Sequence, residues 1–410
     1  MTLLADRREA ARAARPFPDL SRLIHPLDLM TFQRDYWERT SLVVHRNDPR
    51  YFEALLTLDQ VDEELSRSGA RFDSLRVVMD GKETPVGELG SSSVRNGPIN
   101  AMEALYECYR NGSTIVLNGL EQCCEPLQRL AGSLGAELSA RIQMNVYLTP
   151  AGSRGFKPHY DTHDVFIAQV HGTKRWQLAS EAYELPLSSR PHDKSQPEPA
   201  PEQEFDLRAG DLLYLPRGAI HSATSNDTAS VHVTIGVHPV LYSRAITDAL
   251  SKVFADDVRF RRGLPMGFAT DDKLQDRAAE TVVELLSALQ SRLSPQELVV
   301  AAVKQAASIS APTLRHHLTD LERLGQVGIH TLVRRRPELQ CHITVADDVV
   351  GLDFHNKIVQ FPAHVADEVT YVAASNGAGF TGAAIPGELD ESGRVVLVQT
   401  LVREGFLTFG

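Results

Sequence analysis

Residues 158–166 read PHYDTHDVF, and two histidines with two aspartates in one strand-like run pose a chemical question. On a half-buried strand each polar group without a partner lowers stability, so the run predicts something for these groups to bind. His159 and Asp161 are two residues apart, and on an extended chain both project from the same face. An imidazole nitrogen and a carboxylate oxygen meet near one point there, and a metal ion suits both. A third ligand is available in GDLLYLPRGAIH, where Gly210, Pro216, Gly218 and His221 are spaced G-x5-P-x-G-x2-H. The glycines and the proline shape a turn that aims the histidine inward, while Leu212 and Tyr214 fill the wall. His159, Asp161 and His221 then form a two-histidine, one-carboxylate facial triad with about three coordination positions open, the donor set of non-haem Fe(II) oxygenases.

A lone HxD is more often two ordinary polar residues. It is the second motif, about 60 residues later, that turns the reading toward a metal. A storage site without chemistry usually presents HxH and a glutamate, so aspartate at the second position favours oxygen chemistry. Such chemistry needs electrons, which 2-oxoglutarate commonly supplies by decarboxylating to succinate. Its distal carboxylate requires a cation at the end of the pocket. VHGTKRWQL offers Lys174 and Arg175, of which alternation lets one point inward. Trp176 shares the facing of Lys174, so periodicity leaves that choice open.

The elements that must position these groups are legible from about Gly112. STIVLNGL, IQMNVYLTP, DVFIAQVHG, KRWQLA, DLLYLP and VHVTIGVHPV are short strand-like runs divided by turn residues, the pattern of an all-β barrel or sandwich. The G-x5-P-x-G-x2-H pattern is that of a late strand in cupin barrels, which predicts a double-stranded β-helix. Between the runs lies SSRPHDKSQPEPAPEQEF, where Pro191, Pro197, Pro199 and Pro201 forbid regular structure and predict a surface loop. The first hundred residues mix helical and strand-like pieces, among them FQRDYWERTSLVVHR and LTLDQVDEELSRSG. Beyond about Tyr242, AITDALSKVFADDVRF, DRAAETVVELLSALQSRL and SPQELVVAAVKQAASI are helical in period. Ser294-Pro295 supplies a cap and a first-turn proline, with Glu297 in the first turn. The last stretch, 346–410, reads as strand, helix, FTGAAIPGEL, helix and a short strand, a small winged-helix-like module.

The 410 residues suffice for two or three domains. With 42% hydrophobic and 23% charged residues the chain is of ordinary globular composition, and no apolar run is long enough to span a bilayer. The N-terminal residues carry acids and lack an apolar core, so no secretory signal is expected. Cys108, Cys123, Cys124 and Cys341 show no CxxC spacing, which fits a reducing cytoplasm and excludes a thiolate metal site. The net charge of −11 argues against a chain built to coat nucleic acid.

NVYLTPAGSRGFKPHYDTHDVFIAQVHGTKRWQL is similar to the core of the JmjC-type cupin oxygenases called ribosomal oxygenases, and RDYWERTSLVVHRNDPRYFEALLTLDQVDEEL resembles their N-terminal signature. The resemblance covers nearly the whole chain. It implies a mainly β JmjC/cupin jelly roll with an N-terminal α/β extension over 1–243, a helical dimerisation domain over 244–345, and a winged-helix-like domain over 346–410. By it His159, Asp161 and His221 match the iron ligands, and Lys174 matches the residue that pairs with the distal carboxylate of 2-oxoglutarate. Asn145 and Tyr147 match positions lining the cosubstrate pocket. Where several relatives read HVTIS this chain has HVTIG, so Gly236 removes a hydroxyl near cosubstrate or substrate. The implied activity is hydroxylation of a residue in a protein, commonly a ribosomal one, by a homodimer. Demethylation, tailoring of a small peptide and a non-catalytic metal-binding cupin are the alternatives.

Other residues carry weaker signals. His163 shares the parity of Asp161 and could line the substrate mouth, against a plain rim position. His171, His192, His232 and His238 read as solvated or structural, and RRRPE at 334–338 as a solvated turn. From Ala346 to Gly410 there are three Lys/Arg against nine Asp/Glu, a net of −6, the wrong sign for binding a phosphate backbone.

Overall fold

The computed structural model describes residues 19–68, 75–84, 98–180, 183–193, 195, 197–309, 314–336, 339–375 and 377–410. They fall into two compact units, Met1–His238 and Pro239–Gly410.

In the first unit eleven strands follow in chain order: β1 (Leu42–Val44), β2 (Leu75–Met79), β3 (Lys82–Thr84), β4 (Thr114–Leu117), β5 (Ala140–Thr149), β6 (Asp164–His171), β7 (Thr173–Ala179), β8 (Gln203–Arg208), β9 (Leu212–Leu215), β10 (Ile220–Ser225) and β11 (Ser230–Pro239). They form an eight-stranded sheet in the order β1-β9-β6-β11-β5-β4-β2-β3 and a three-stranded sheet in the order β10-β7-β8. Every ladder resolved between neighbours is antiparallel, and β6 is paired on both sides, with β9 and β11. One face of β6 sends Val165 and Ile167 toward Trp176, Leu178 and Leu207 of the smaller sheet. The other sends Phe166 and Ala168 into a larger core with Phe32, Leu127, Leu130 and Tyr214. A strand buried on both faces reads as a nearly continuous apolar run, as VFIA does. The fold is a cupin-type jelly roll with helices added, as expected. LDQVDEELSRS forms a helix, Leu58–Ser68, and β1 is the strand expected in SLVVHR.

The second unit opens with helices Tyr242–Asp256, Asp272–Arg292 and Pro295–Ile309. Ser294 caps the third through its hydroxyl, which accepts the Glu297 N–H at 3.3 Å. Six strands follow, β12 (Leu332–Arg335), β13 (His342–Val345), β14 (Val349–Phe354), β15 (Lys357–Pro362), β16 (Gly379–Thr381) and β17 (Leu407–Phe409), arranged as β16-β12-β17 and β13-β14-β15. Helices Ala366–Ala374 and Glu391–Arg403 share an apolar core with them. The solvated turn expected at RRRPE is corrected: Arg334 and Arg335 belong to β12, and Arg336 is buried on Asp320 at 2.6 Å, because a guanidinium entering a core needs a carboxylate partner. Pro337 and Glu338 lie outside the described residues. No helix among the described residues is long and apolar enough to cross a membrane.

Candidate metal centre and its cavity

The opening stretch gives its two aspartates different tasks. His159 is joined to His221 by an antiparallel bridge in which each N–H donates to the other's carbonyl, at 3.1 and 2.8 Å. This bridge brings residues from two distant motifs to ring centroids 4.6 Å apart. Asp161 is held by the turn, because the Gly218 N–H donates to its carbonyl at 3.0 Å. Gly218 has φ +94°, and a Cβ there would lie 2.1 Å from the Tyr183 carbonyl oxygen, so the turn requires glycine for backbone conformation and for space. The ligand atoms of His159, Asp161 and His221 all lie within 4.8 Å of one another. Asp164 serves structure instead: fully buried, it pairs with Arg217 at 2.7 Å, and Arg217 also reaches Glu38.

The histidines are prepared as ligands. Nδ1 of His159 faces the Lys157 carbonyl at 2.8 Å and Nδ1 of His221 faces the Ala219 carbonyl at 3.0 Å. A carbonyl can only accept, so each Nδ1 carries a proton and Nε2 is the atom turned toward a metal, the arrangement seen in metal-ligating histidines. Burial, with the His159 charge adding to it, lowers His221 to about 4, so its ring is neutral at pH 7. Burial pushes the Asp161 carboxyl up, but electrostatic interaction with the neighbouring imidazoles, His159 first, outweighs it and holds the group below its ordinary value. The donor set, tautomers and charge states fit a divalent cation of the Fe(II) type.

A cavity of about 520 Å³ opens beside the triad and runs into the jelly roll. Its inner part is lined by Thr114, Tyr147, Ile167, Lys174, Trp176, His232 and Thr234. Lys174 is 4% exposed, donates to the Thr149 hydroxyl at 3.1 Å, and is lowered by burial to about 7. Arg175, next on β7, points outward and pairs with Asp206 at 3.0 Å. Tyr147 stacks on His232 with centroids 4.8 Å apart and planes 6° apart, and burial pushes its phenol up to about 12. Asn145 does not line the cavity; its carboxamide oxygen accepts from the Gly119 N–H at 3.0 Å, and the side chain hydrogen-bonds Tyr147.

Four features go beyond what the sequence suggested. His232, read there as solvated or structural, is 3% exposed and faces the cavity, its Nδ1 without a hydrogen-bond partner among the described residues. Trp176 Nε1 is also buried and has no partner among the described residues. The alternation of HVTIGVH along β11 was the available signal, since it places His232 and Thr234 on one face. Arg76 of β2 lies over the Phe156 ring at 5.4 Å and lines the cavity, with a bidentate pair to Glu83 at 2.9 and 2.8 Å. Parts of the proline-rich loop line the mouth as well: Pro191, His192, Pro197, Glu198 and Pro199.

A family model described as JmjC domain matches residues 121–244. The chain is 26% identical to a Dictyostelium discoideum protein named bifunctional lysine-specific demethylase and histidyl-hydroxylase NO66, over 95% of this chain and 82% of that one. It is 29% identical to ribosomal oxygenase 1 of Danio rerio, over 74% of this chain but only 58% of that one, so it spans little more than half of the zebrafish protein. Among solved structures, Escherichia coli YcfD, a ribosomal oxygenase in complex with cobalt and 2-oxoglutarate, superposes with a TM-score of 0.50 at 16% identity, covering 94% of this chain and 98% of that one. With a JmjC match laid over the strands that carry the triad, and relatives matching over 74% and 95% of its length, the chain carries a JmjC domain and is similar to the ribosomal oxygenases.

Proposed function

We propose that the chain is an Fe(II)- and 2-oxoglutarate-dependent oxygenase that hydroxylates an amino-acid side chain in a protein or peptide, with ribosomal proteins as the first class to test. One observation carries the reading: a two-histidine, one-carboxylate triad opens onto a cavity whose wall holds a buried lysine paired, among the described residues, only with a threonine hydroxyl. The names of the relatives and the cobalt and 2-oxoglutarate held by YcfD support it.

His159, Asp161 and His221 would hold the iron, which supplies activation of dioxygen for attack on an unactivated C–H bond. Lys174 takes the distal carboxylate of 2-oxoglutarate. The arriving anion favours the ammonium form and so raises a lysine that burial holds near neutrality. Tyr147 lines the same space, and Asn145 acts on it through the Tyr147 hydrogen bond. Trp176, Ile167 and Val165 keep the inner wall apolar and limit water there. At the mouth, Arg76, Lys157, Tyr160 and the proline-rich segment provide the surface a protein segment would meet.

Residues 244–345 serve as a homodimerisation region in this reading. Supporting it, Val283, Leu286 and Val299 are 64, 58 and 62% exposed on the helices of that region. Residues 346–410 form a winged-helix-like module for protein contact, and its net charge of −6 argues against duplex DNA. The compartment is the cytoplasm in this reading, in keeping with the lack of CxxC spacing among Cys108, Cys123, Cys124 and Cys341.

Demethylation is the second reading, because the Dictyostelium relative is named for both activities. Product mass separates the two. Full-length protein supplied with Fe(II), 2-oxoglutarate and a ribosomal protein fraction should release succinate and add one oxygen to a target peptide, and Asp161→Ala and His221→Ala should do neither. Loss of a methyl group would establish demethylation instead. Undiminished succinate release by both variants would remove the oxygenase reading.

A further inference from the structure

Ala179 ends β7 and Gln203 begins β8, and the proline-rich stretch crosses the cavity mouth between them. Pro191, Pro197, Pro199 and Pro201 have no N–H to give to a strand. Among the described residues no backbone hydrogen bond joins residues 191–199 to the jelly roll. Yet Pro191, His192, Pro197, Glu198 and Pro199 line the cavity of the triad, so side chains must hold them there. One tie is Tyr160, whose hydroxyl donates to the Arg190 carbonyl at 3.2 Å and whose ring meets His192 edge-on at 4.9 Å. The other is Glu198. Its two carboxylate oxygens accept from the Arg154 guanidinium at 3.2 and 3.4 Å, and the Lys157 ammonium lies 3.6 Å away.

The anchor beneath Glu198 is braced on its far side. Arg154 also meets Asp80 at 2.9 Å, the Asp80 N–H donates to the Arg154 carbonyl at 2.9 Å, and the Gly81 N–H donates to the Gly155 carbonyl at 2.7 Å. Gly81 has φ +76°, and a Cβ there would lie 2.7 Å from Lys157 Cγ, so the lysine stem rests on a bare turn. The Lys157 carbonyl in turn faces Nδ1 of His159 at 2.8 Å. One short segment therefore orients a metal ligand and docks the outer wall of the mouth. Arg154, Lys157 and Glu198 are all partly exposed, and an exposed ion pair shifts an equilibrium by about fivefold at most. Such a tie favours the docked arrangement without locking it.

We propose that Glu198 is a positioning residue for the protein substrate. Docked on Arg154 and Lys157, it holds residues 197–199 as the outer wall of the mouth, and an extended substrate segment is held between that wall and the Tyr160 ring, above the triad. The proposal deepens the oxygenase reading and rests on it. Glu198 acts through the strap and not on the reacting atoms, so its removal should weaken occupancy by substrate more than turnover at saturation.

The first arm of the test uses full-length protein without substrate. Brief digestion with proteinase K, mapped by mass spectrometry, reads how often residues 186–202 leave their dock, because cleavage follows the open population when reclosing is fast. Glu198→Gln should be cut there about fivefold faster than wild type. Wild-type protein in about 1 M salt, where the screening length is about 3 Å, should approach the variant. Adding Arg154→Gln to Glu198→Gln should speed cleavage little further, since both changes remove the same contact. The second arm supplies Fe(II), 2-oxoglutarate and a ribosomal protein fraction. Glu198→Gln should raise the half-saturating amount of that fraction about fivefold while the rate at saturation falls less than about twofold. Glu198→Asp keeps the charge on a shorter stem and should recover part of the loss in both arms. Thermal unfolding of each variant separates loss of the tie from loss of the fold. Unchanged cleavage of Glu198→Gln would overturn the proposal, and so would faster cleavage with unchanged half-saturation, which describes a strap that holds no substrate. If wild-type protein releases no succinate in response to the fraction, the oxygenase reading falls and takes the substrate role with it. A responsive wild type beside an unaltered Glu198→Gln removes the role of the strap alone.

Discussion

The first unit buries Lys174, His221, His232 and Trp176 around a cavity, whereas the second leaves Val283, Leu286, Val299 and Val303 at the surface of its helices. Both depart from ordinary burial, in opposite senses. A buried polar atom without a partner costs about 1–3 kcal/mol, and the inner cavity keeps two such atoms, on Trp176 and His232, beside a desolvated lysine. Helix Asp272–Arg292 is 21 residues long yet buries Ala278 alone among its described residues. Polar atoms inside call for an ion or a small anion, which satisfies directed valences. Apolar surface outside calls for another protein surface, which needs area and little direction. The same chain thus carries two kinds of unfinished surface, and each names the chemistry of what completes it.

Three experiments bear on that contrast. The largest effect is expected in the second unit. Val283→Glu with Leu286→Glu would place four carboxylates in a twofold interface, and burying even one unpaired charge costs several kcal/mol. Dimer dissociation should rise at least about 100-fold, read by sedimentation at micromolar concentration, with succinate release in the first unit largely kept. A wild-type protein that sediments as a monomer would break the comparison at once. In the first unit, Lys174→Ala should raise the apparent KM for 2-oxoglutarate at least about tenfold, since removing one partner of a desolvated charge pair costs about 2–5 kcal/mol and about 1.4 kcal/mol is one decade. Lys174→Arg should retain part of the activity because a guanidinium also clamps a carboxylate. Arg175→Ala should do little, as its partner Asp206 lies outside the cavity wall.

The smallest effect is a pH dependence. Burial lowers Lys174 to about 7 in the free protein, so above that pH the cavity holds a neutral amine. A carboxylate ligand prefers the ammonium and raises its pKa, so binding takes up a proton above pH 7 and affinity falls as pH rises. Affinity for 2-oxoglutarate should drop several-fold, up to about tenfold, between pH 6.5 and 8.5, and the dependence should vanish in Lys174→Ala. A flat profile in wild-type protein would mean that the lysine stays charged throughout.

How much of this could be read beforehand differs residue by residue. The triad was legible because its geometry is local: a two-residue spacing fixes a shared face, and Gly218 and Pro216 encode the turn that aims His221. The three long helices were legible for the same reason, from period and from the Ser294 cap. Lys174 against Arg175 was undecided by alternation, since Trp176 shares the lysine's side, and the fold places both Lys174 and Trp176 in the cavity wall. His232 was set aside as ordinary, and Arg76 carried no signal, because nothing in the segment around it says that β2 lies two strands from β5.

The sequence by itself determined the ligand types, the side each shows on its own strand, and the strand-then-helix order of the chain, all of which follow from backbone periodicity and turn chemistry. Only the tertiary structure decided which strands neighbour one another. That settled the desolvation of Lys174, the pairing of Asp164 with Arg217 and the seating of His163 over Gly236, because contacts between distant segments depend on sheet order and register that no local pattern contains.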